Sequence, residues 1–186
     1  WRERLIASDG EGGFTFIDGE AEEEDRHLPQ TAPDNAILET RPAGQALMHE
    51  LGRRAALPPV VALIVDYGHA ESGFGDTLQA VRGHRFANVL ANPDAADLSA
   101  HVDFADLKRE AGAAGLMTFG PMPQGEFLLK LGLAVRRERL LQRATPSQAK
   151  AIASGAARLV DPRQMGLLFK ALALTSAGLA PPPPFG

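Results

Sequence analysis

The stretch VVALIVDYGH, residues 60–69, decides the fold that we expect for this chain. It opens with six consecutive aliphatic residues, a pattern typical of a strand buried on both faces of a parallel sheet. Asp66, Tyr67, Gly68 and His69 follow at once, and open α/β sheets place their ligands just beyond the carboxyl ends of such strands. We therefore predict a buried strand with Asp66 or Tyr67 facing a ligand. The alternative is a simple turn in which Gly68 supplies an unusual backbone angle.

The segments around this strand alternate between strand and helix patterns, which predicts an α/β domain. Two short runs at 4–8 and 13–18 flank a glycine-rich turn and predict a β-hairpin. Apolar runs at 115–122 and 168–176 predict two further strands. Capping residues predict helix starts at Pro42, Asp103 and Thr145, and glycine predicts a helix break at Gly132. The first of these helices is expected to bury one apolar face, formed by Ala43, Ala46, Leu47, Leu51 and Ala55.

We divide the chain into three parts. A hairpin and an acidic loop occupy 1–36, the main α/β part occupies 37–178, and a proline-rich tail occupies 179–186. The acidic loop contains GEAEEEDRH, residues 19–27, a charge run typical of a solvated segment. We predict that the tail is flexible.

The composition excludes several classes of function. The 186 residues include no cysteine, which excludes disulfides, thiolate metal sites and a cysteine nucleophile. The net charge of −4 gives no support to nucleic-acid binding. No apolar run reaches the ~20 residues that a membrane span needs. Because the first residue is Trp1 and not methionine, we expect the chain to belong to a longer reading frame.

A second polar stretch, DLSAHVDF at 97–104, could contribute to the same site. His101 and Asp103 could form a general base with its orienting partner, or part of a metal site. Taken alone, the stretch favours a structural role, because Asp103 is well explained as a helix cap.

Gln124 and Gly125 stand at a predicted helix start directly after a strand, where free backbone N–H groups suit polar ligands. A plain cap explains them as well. The familiar glycine-rich nucleotide motifs, the serine-hydrolase elbow and the zinc motif HExxH do not occur, so the motifs alone support no cofactor and we expect no metal.

Five segments taken together resemble a known family. They resemble, in order, the carboxy-terminal half of the MidA-type methyltransferases, also called domain of unknown function 185. The family includes the mitochondrial complex I assembly-factor methyltransferase. Ser99 stands where the family usually has threonine, a change that keeps the hydroxyl group. The segments are ALIVDYGH (62–69), DTLQAVRGH (76–84), DLSAHVDFADL (97–107), QGEFLLKLG (124–132) and MGLLFKALA (165–173).

The resemblance implies the carboxy-terminal half of a Rossmann-like methyltransferase fold, with the hairpin as an insertion. It implies S-adenosylmethionine as the cofactor, with the glycine-rich binding loop upstream of Trp1, and a protein arginine as the methyl acceptor, with a complex I subunit as the substrate of the known members. Bacterial cytoplasm is the expected location and the mitochondrial matrix the alternative. The oligomeric state stays open.

Position and chemistry suggest roles for the candidate side chains. Asp66, with Asp103 as second choice, would bind the guanidinium of the acceptor through charge-assisted hydrogen bonds. Tyr67 or Phe104 would stack on that planar group. His101 would accept or relay its proton, or would simply hold the loop. The rest of the pocket would be shaped by Gly68, His69, Gln124 and Gly125.

Two other classes of function remain open. The first is a non-catalytic assembly module that docks through its acidic loop and basic helices. The second is a metal-dependent hydrolase that uses Asp66, His69, His101 and Asp103.

Overall fold

The structure is a computed structural model that describes residues 1–21, 28–56 and 58–186. Most of the predicted acidic loop lies outside these ranges. The strands are β1 (Arg2–Ser8), β2 (Phe14–Glu20), β3 (Val61–His69), β4 (Gln79–Arg82), β5 (Arg85–Ala87), β6 (Asp97–Ser99), β7 (Val102–Asp103), β8 (Leu116–Pro123) and β9 (Phe169–Ser176). The helices are α1 (Pro42–Arg54), α2 (Phe104–Ala113), α3 (Gln124–Lys130), α4 (Leu133–Leu141), α5 (Pro146–Val160) and α6 (Met165–Leu168).

The first of two compact units combines residues 1–39 with residues 74–100. β1 and β2 form the predicted antiparallel hairpin, and β5, β4 and β6 form a small antiparallel sheet. The two parts of the unit are joined by an ion pair of 2.7 Å between Arg4 and Asp76. The ring of Trp1 also lies against that of Phe74. No sequence pattern indicated that residues 74–100 group with the hairpin.

The second unit, residues 40–73 and 101–186, contains a four-stranded sheet in the order β7-β3-β9-β8. β3 runs antiparallel to β9 and parallel to the short β7, so the sheet is mixed. The core lies on one face of this sheet, under α1 and α2, and contains Met48, Phe104, Leu107, Ala111, Leu116, Leu172 and Leu174. The protein is thus an α/β protein, as predicted.

Most predicted helix boundaries are confirmed because local capping chemistry sets them. The Asp103 side chain accepts a hydrogen bond from the backbone N–H of Asp106 and starts α2. Thr145 and Gln148 form a complete capping box at the start of α5. Gly132 adopts a left-handed conformation with φ of 89° and separates α3 from α4.

The prediction that β3 is buried on both faces is wrong. Its residues alternate between partly buried and exposed, and Val61, Leu63 and Val65 are 61%, 54% and 44% exposed. On the side away from β9, β7 pairs only with Gly68 and His69, and no other described strand pairs with β3. The apolar run therefore has one open face and one open edge within the described residues.

The apolar face predicted for α1 is right in part. Leu51 and Ala55 pack against the core, but the buried residue of the helix is Met48, and Leu47 is half exposed. The prediction of a free proline-rich tail is wrong, since the ring of Phe185 lies 5.7 Å from that of Phe127.

Candidate functional site

The predicted site residues around β3 do come together, at the carboxyl ends of β3 and β7. These strands pair in parallel, with Gly68 opposite Val102 and His69 opposite Asp103. Gly68 is required here because a Cβ atom built on it would lie 2.0 Å from the Val102 carbonyl oxygen. Its role is to allow this close approach, and the alternative that it supplies an unusual backbone angle is wrong, because its φ is not positive.

Asp66 lies near the end of β3, two residues before the strand begins to pair with β7. Its carboxylate accepts a hydrogen bond of 2.8 Å from the backbone N–H of Tyr67. It lies directly opposite Lys170 in the antiparallel register of β3 and β9. No ion pair joins Asp66 to any side chain in the described parts of the chain. One partly buried carboxylate is therefore left available for a cationic group.

Tyr67 points to the opposite face of the strand, because successive strand residues alternate. Its ring meets that of Phe169 edge-on at 5.4 Å and that of His101 at 5.7 Å. These contacts fix the orientation of the phenol. Asp66 and Tyr67 consequently act on different sides of β3.

His69 and Asp103 form the polar end of the site on the same side as Tyr67. His69 Nε2 lies 3.6 Å from one carboxylate oxygen of Asp103, and the other oxygen accepts the N–H of Asp106. Asp103 is thus both the helix cap and the partner of a histidine. Since both of its oxygens are engaged, Asp103 is less available to a ligand than Asp66.

Three predicted pocket residues do not reach this place. Phe104 is fully buried in the core with Met48 and Leu172, so it cannot stack on a ligand. Gln124 is buried, and its side-chain amide donates to the carbonyl of Leu159 at the end of α5. The predictions that Phe104 stacks on a ligand and that Gln124 shapes a pocket are therefore wrong, because one side chain packs in the core and the other bonds α3 to α5.

Gly125 is likewise buried, and a Cβ atom there would lie 2.8 Å from the carbonyl oxygen of Val160. The prediction that it shapes a pocket rim is wrong, because it allows α3 to approach the end of α5.

Sequence reasoning missed Lys170, which follows α6 at the start of β9. Its ammonium group donates to the carbonyl oxygens of Gly68 at 3.0 Å and Leu168 at 3.3 Å, and also to that of Leu167. Burial lowers the pKa of Lys170. The only available signal was a lysine inside an otherwise apolar run, FKALAL, where a charged side chain needs partners.

The described parts of the chain contain no group of three or more histidine, aspartate or glutamate side chains placed to hold a metal ion. Nor does any helix among them have the length and apolar character to cross a membrane. The site is therefore built from one carboxylate without an ion pair, an aromatic trio and a histidine–aspartate pair.

Residues 1–122 match the family of S-adenosyl-L-methionine-dependent methyltransferases. The chain belongs to this family. The match confirms the methyltransferase resemblance seen in the sequence. Among relatives, the fruit fly (Drosophila melanogaster) protein arginine methyltransferase NDUFAF7 homolog, mitochondrial, is 35% identical, and the alignment covers 97% of this chain and 43% of the relative. The human (Homo sapiens) protein arginine methyltransferase NDUFAF7, mitochondrial, is 34% identical over 87% of this chain and 39% of its own.

Two solved structures share the methyltransferase architecture of this chain. A Burkholderia thailandensis protein bound to S-adenosyl-homocysteine superposes with a TM-score of 0.79 and 27% identity, over 97% of this chain and 48% of that one. A second structure, of an uncharacterized COG1565 superfamily protein from Burkholderia thailandensis, gives a TM-score of 0.80 and 26% identity, over 97% of this chain and 50% of that one. This chain thus spans half or less of the length of these relatives and neighbours.

Proposed function

We propose that this chain is part of a methyltransferase that transfers the methyl group of S-adenosylmethionine to an arginine of a protein substrate. The observation that carries the proposal is the Asp66 carboxylate, which lies at the carboxyl end of a sheet strand without an ion pair to any described residue. A guanidinium group matches such a carboxylate with two parallel hydrogen bonds. The chain's family and its arginine methyltransferase relatives support the same acceptor.

We propose further that the fold is the carboxy-terminal half of a Rossmann-like domain, with the β1–β2 hairpin as an insertion. The support is the exposed apolar row of β3, where Val61, Leu63 and Val65 lie open beside the free edge of the strand within the described residues, although their neighbours on β9 are buried. A contiguous apolar face of this kind marks an interface. We place the remaining strands, helices and the glycine-rich cofactor loop in the part of the complete protein outside this chain.

The residues described here fit the acceptor side of such a site. S-adenosylmethionine supplies an electrophilic methyl group when it is bound. The carboxylate of Asp66 would orient the attacking nitrogen of the guanidinium and accept its proton. Tyr67 and His101 lie across the strand from Asp66, so we assign them to the wall of the site and not to the proton transfer first expected of His101. His69 and Asp103 would hold the end of that wall.

The identity of the substrate is a finer proposal. The fly and human relatives carry mitochondrial arginine methyltransferase names, which favours a protein substrate and is consistent with a complex I subunit. Bacterial cytoplasm or the mitochondrial matrix stays the expected location. The division of the chain into 1–36, 37–178 and 179–186 stays a prediction as well.

The experiment is calorimetric binding of S-adenosyl-homocysteine to the complete protein and to this chain, followed by methyl transfer to arginine-containing peptides. We expect binding and methyl transfer by the complete protein, and weak or no binding by this chain. Absence of binding to the complete protein would overturn the proposal.

A non-catalytic assembly module is the second candidate function. Helix α4 exposes Arg136, Arg137 and Arg139, and none of them forms an ion pair with the residues that the structure describes. Arginine is enriched in protein interfaces, where it binds carboxylates. If the complete protein captures an acidic partner but never binds the cofactor product, this candidate replaces the first.

A further inference from the structure

We propose that Lys170 is a positioning residue of the candidate site, holding the end of β3 that follows Asp66 in place by its hydrogen bond to the Gly68 carbonyl. This inference rests on the proposed function for its catalytic consequence only. The geometry concerns Lys170 and the backbone of this chain, and it can be tested without activity.

The ammonium group joins three elements of the second unit. It is carried by β9, it donates to Gly68 at the end of β3, and it donates to Leu167 and Leu168 in the last turn of α6. The last carbonyls of a helix have no partner within the helix, and a cation satisfies them favourably. An ammonium group has three hydrogens, so these three carbonyls use its full donor capacity.

The same arrangement explains why Asp66 has no ion pair. Lys170 stands directly opposite Asp66 in the strand register, where a lysine and an aspartate would ordinarily pair across the sheet. Its ammonium group instead bonds to the carbonyls of Gly68 and of α6. The positive charge therefore fixes the backbone beside Asp66 and leaves the carboxylate free for a cationic acceptor.

The position of Gly68 controls the rest of the site. Gly68 and His69 pair with β7, and His69 lies 3.6 Å from Asp103. A Gly68 carbonyl without its donor would loosen the one segment that brings these groups together. Positioning by Lys170 is thus transmitted through the backbone, because its ammonium group donates to three backbone carbonyls.

The first test measures hydrogen exchange at the amides of Gly68 and His69 in the complete protein. Lys170→Met keeps the aliphatic stem but removes all three donors, and Lys150→Met is a matched change at an exposed lysine of α5. We expect exchange at these two amides to be about tenfold faster in Lys170→Met and unchanged in Lys150→Met. Unchanged exchange in Lys170→Met overturns the inference, whatever the protein catalyses.

The second test measures methyl transfer by the same variants. We expect Lys170→Met to lower kcat about tenfold while S-adenosyl-homocysteine binding stays within about twofold. Lys170→Arg, which keeps a charged donor, should restore kcat to within about threefold. If Lys170→Met does not fold, Lys170→Gln, which keeps one donor group, decides in its place. Equal loss of kcat and of binding, in step with a lower folded fraction, would reduce Lys170 to a general stabilising residue.

Binding of S-adenosyl-homocysteine by the wild-type protein separates the two proposals. If the wild type does not bind it, the proposed function fails, while the exchange experiment still decides the role of Lys170.

Discussion

Replacing Gly68 by alanine should break the pairing on which the site depends. The new Cβ atom would lie 2.0 Å from the Val102 carbonyl oxygen and 2.8 Å from its carbonyl carbon and amide nitrogen. Ordinary contacts between such atoms are ~3.5 Å, so β3 and β7 would have to separate by more than about 1 Å. The obstacle is backbone and cannot rotate away. Overpacking costs ~1–3 kcal/mol and each lost pairing hydrogen bond ~0.5–1.5 kcal/mol, which together suggest a loss of about 2–4 kcal/mol.

The assay is urea denaturation of the complete protein, followed by circular dichroism. Gly73→Ala is the matched control, because a Cβ atom on Gly73 would meet nothing within 4 Å and its φ is not in the left-handed region. We expect the control to change the free energy of unfolding by less than about 0.5 kcal/mol, or to raise it slightly. If Gly68→Ala unfolds at the same urea concentration as Gly73→Ala, the reasoning about strand approach is refuted.

Three further outcomes follow from the geometry. Asp66→Asn should lower kcat/KM for methyl transfer by about tenfold to a hundredfold, since a charge-assisted contact is worth ~1.5–3 kcal/mol. Asp94→Asn, at an exposed aspartate, is the control and should leave kcat/KM unchanged. Thr145→Ala removes the capping box of α5 and should cost ~1 kcal/mol in thermal unfolding, whereas the neighbouring exposed Ser147→Ala should cost little. Hydrogen bonds and charge from two arginines of α1 lower the pKa of Glu50 to about 2 from its ordinary 4.5. The contribution of Glu50 to stability is therefore complete above about pH 4.5 and is lost as the pH falls towards 2. Titration of the Glu50 carboxyl group by NMR measures this pKa.

Each of these outcomes has a result that contradicts it. Methyl transfer within about twofold of wild type would remove Asp66 from the acceptor site. Equal melting temperatures for Thr145→Ala and Ser147→Ala would show that the cap adds nothing measurable. A Glu50 midpoint near 4.5 would mean that its bonds to Arg53 and Arg54 do not persist in solution.

The sequence by itself determined the local structure and the family of this chain. Helix starts at Asp103 and Thr145, the break at Gly132 and the strand at 60–69 follow from side chains that act on their own backbone within a few residues. The motifs around Asp66 and His101 also led to the methyltransferase family, which residues 1–122 match.

Only the tertiary structure decided which faces are buried and which side chains meet. A run of six aliphatic residues does not reveal that one side of β3 lacks a covering layer among the described residues, because burial depends on neighbours distant in sequence. Nor does it reveal that Phe104 belongs to the core. Strand register brought Lys170, about a hundred residues away, opposite Asp66 and to the carbonyl of Gly68. Contacts of that kind arise from packing between elements, and no local pattern encodes them.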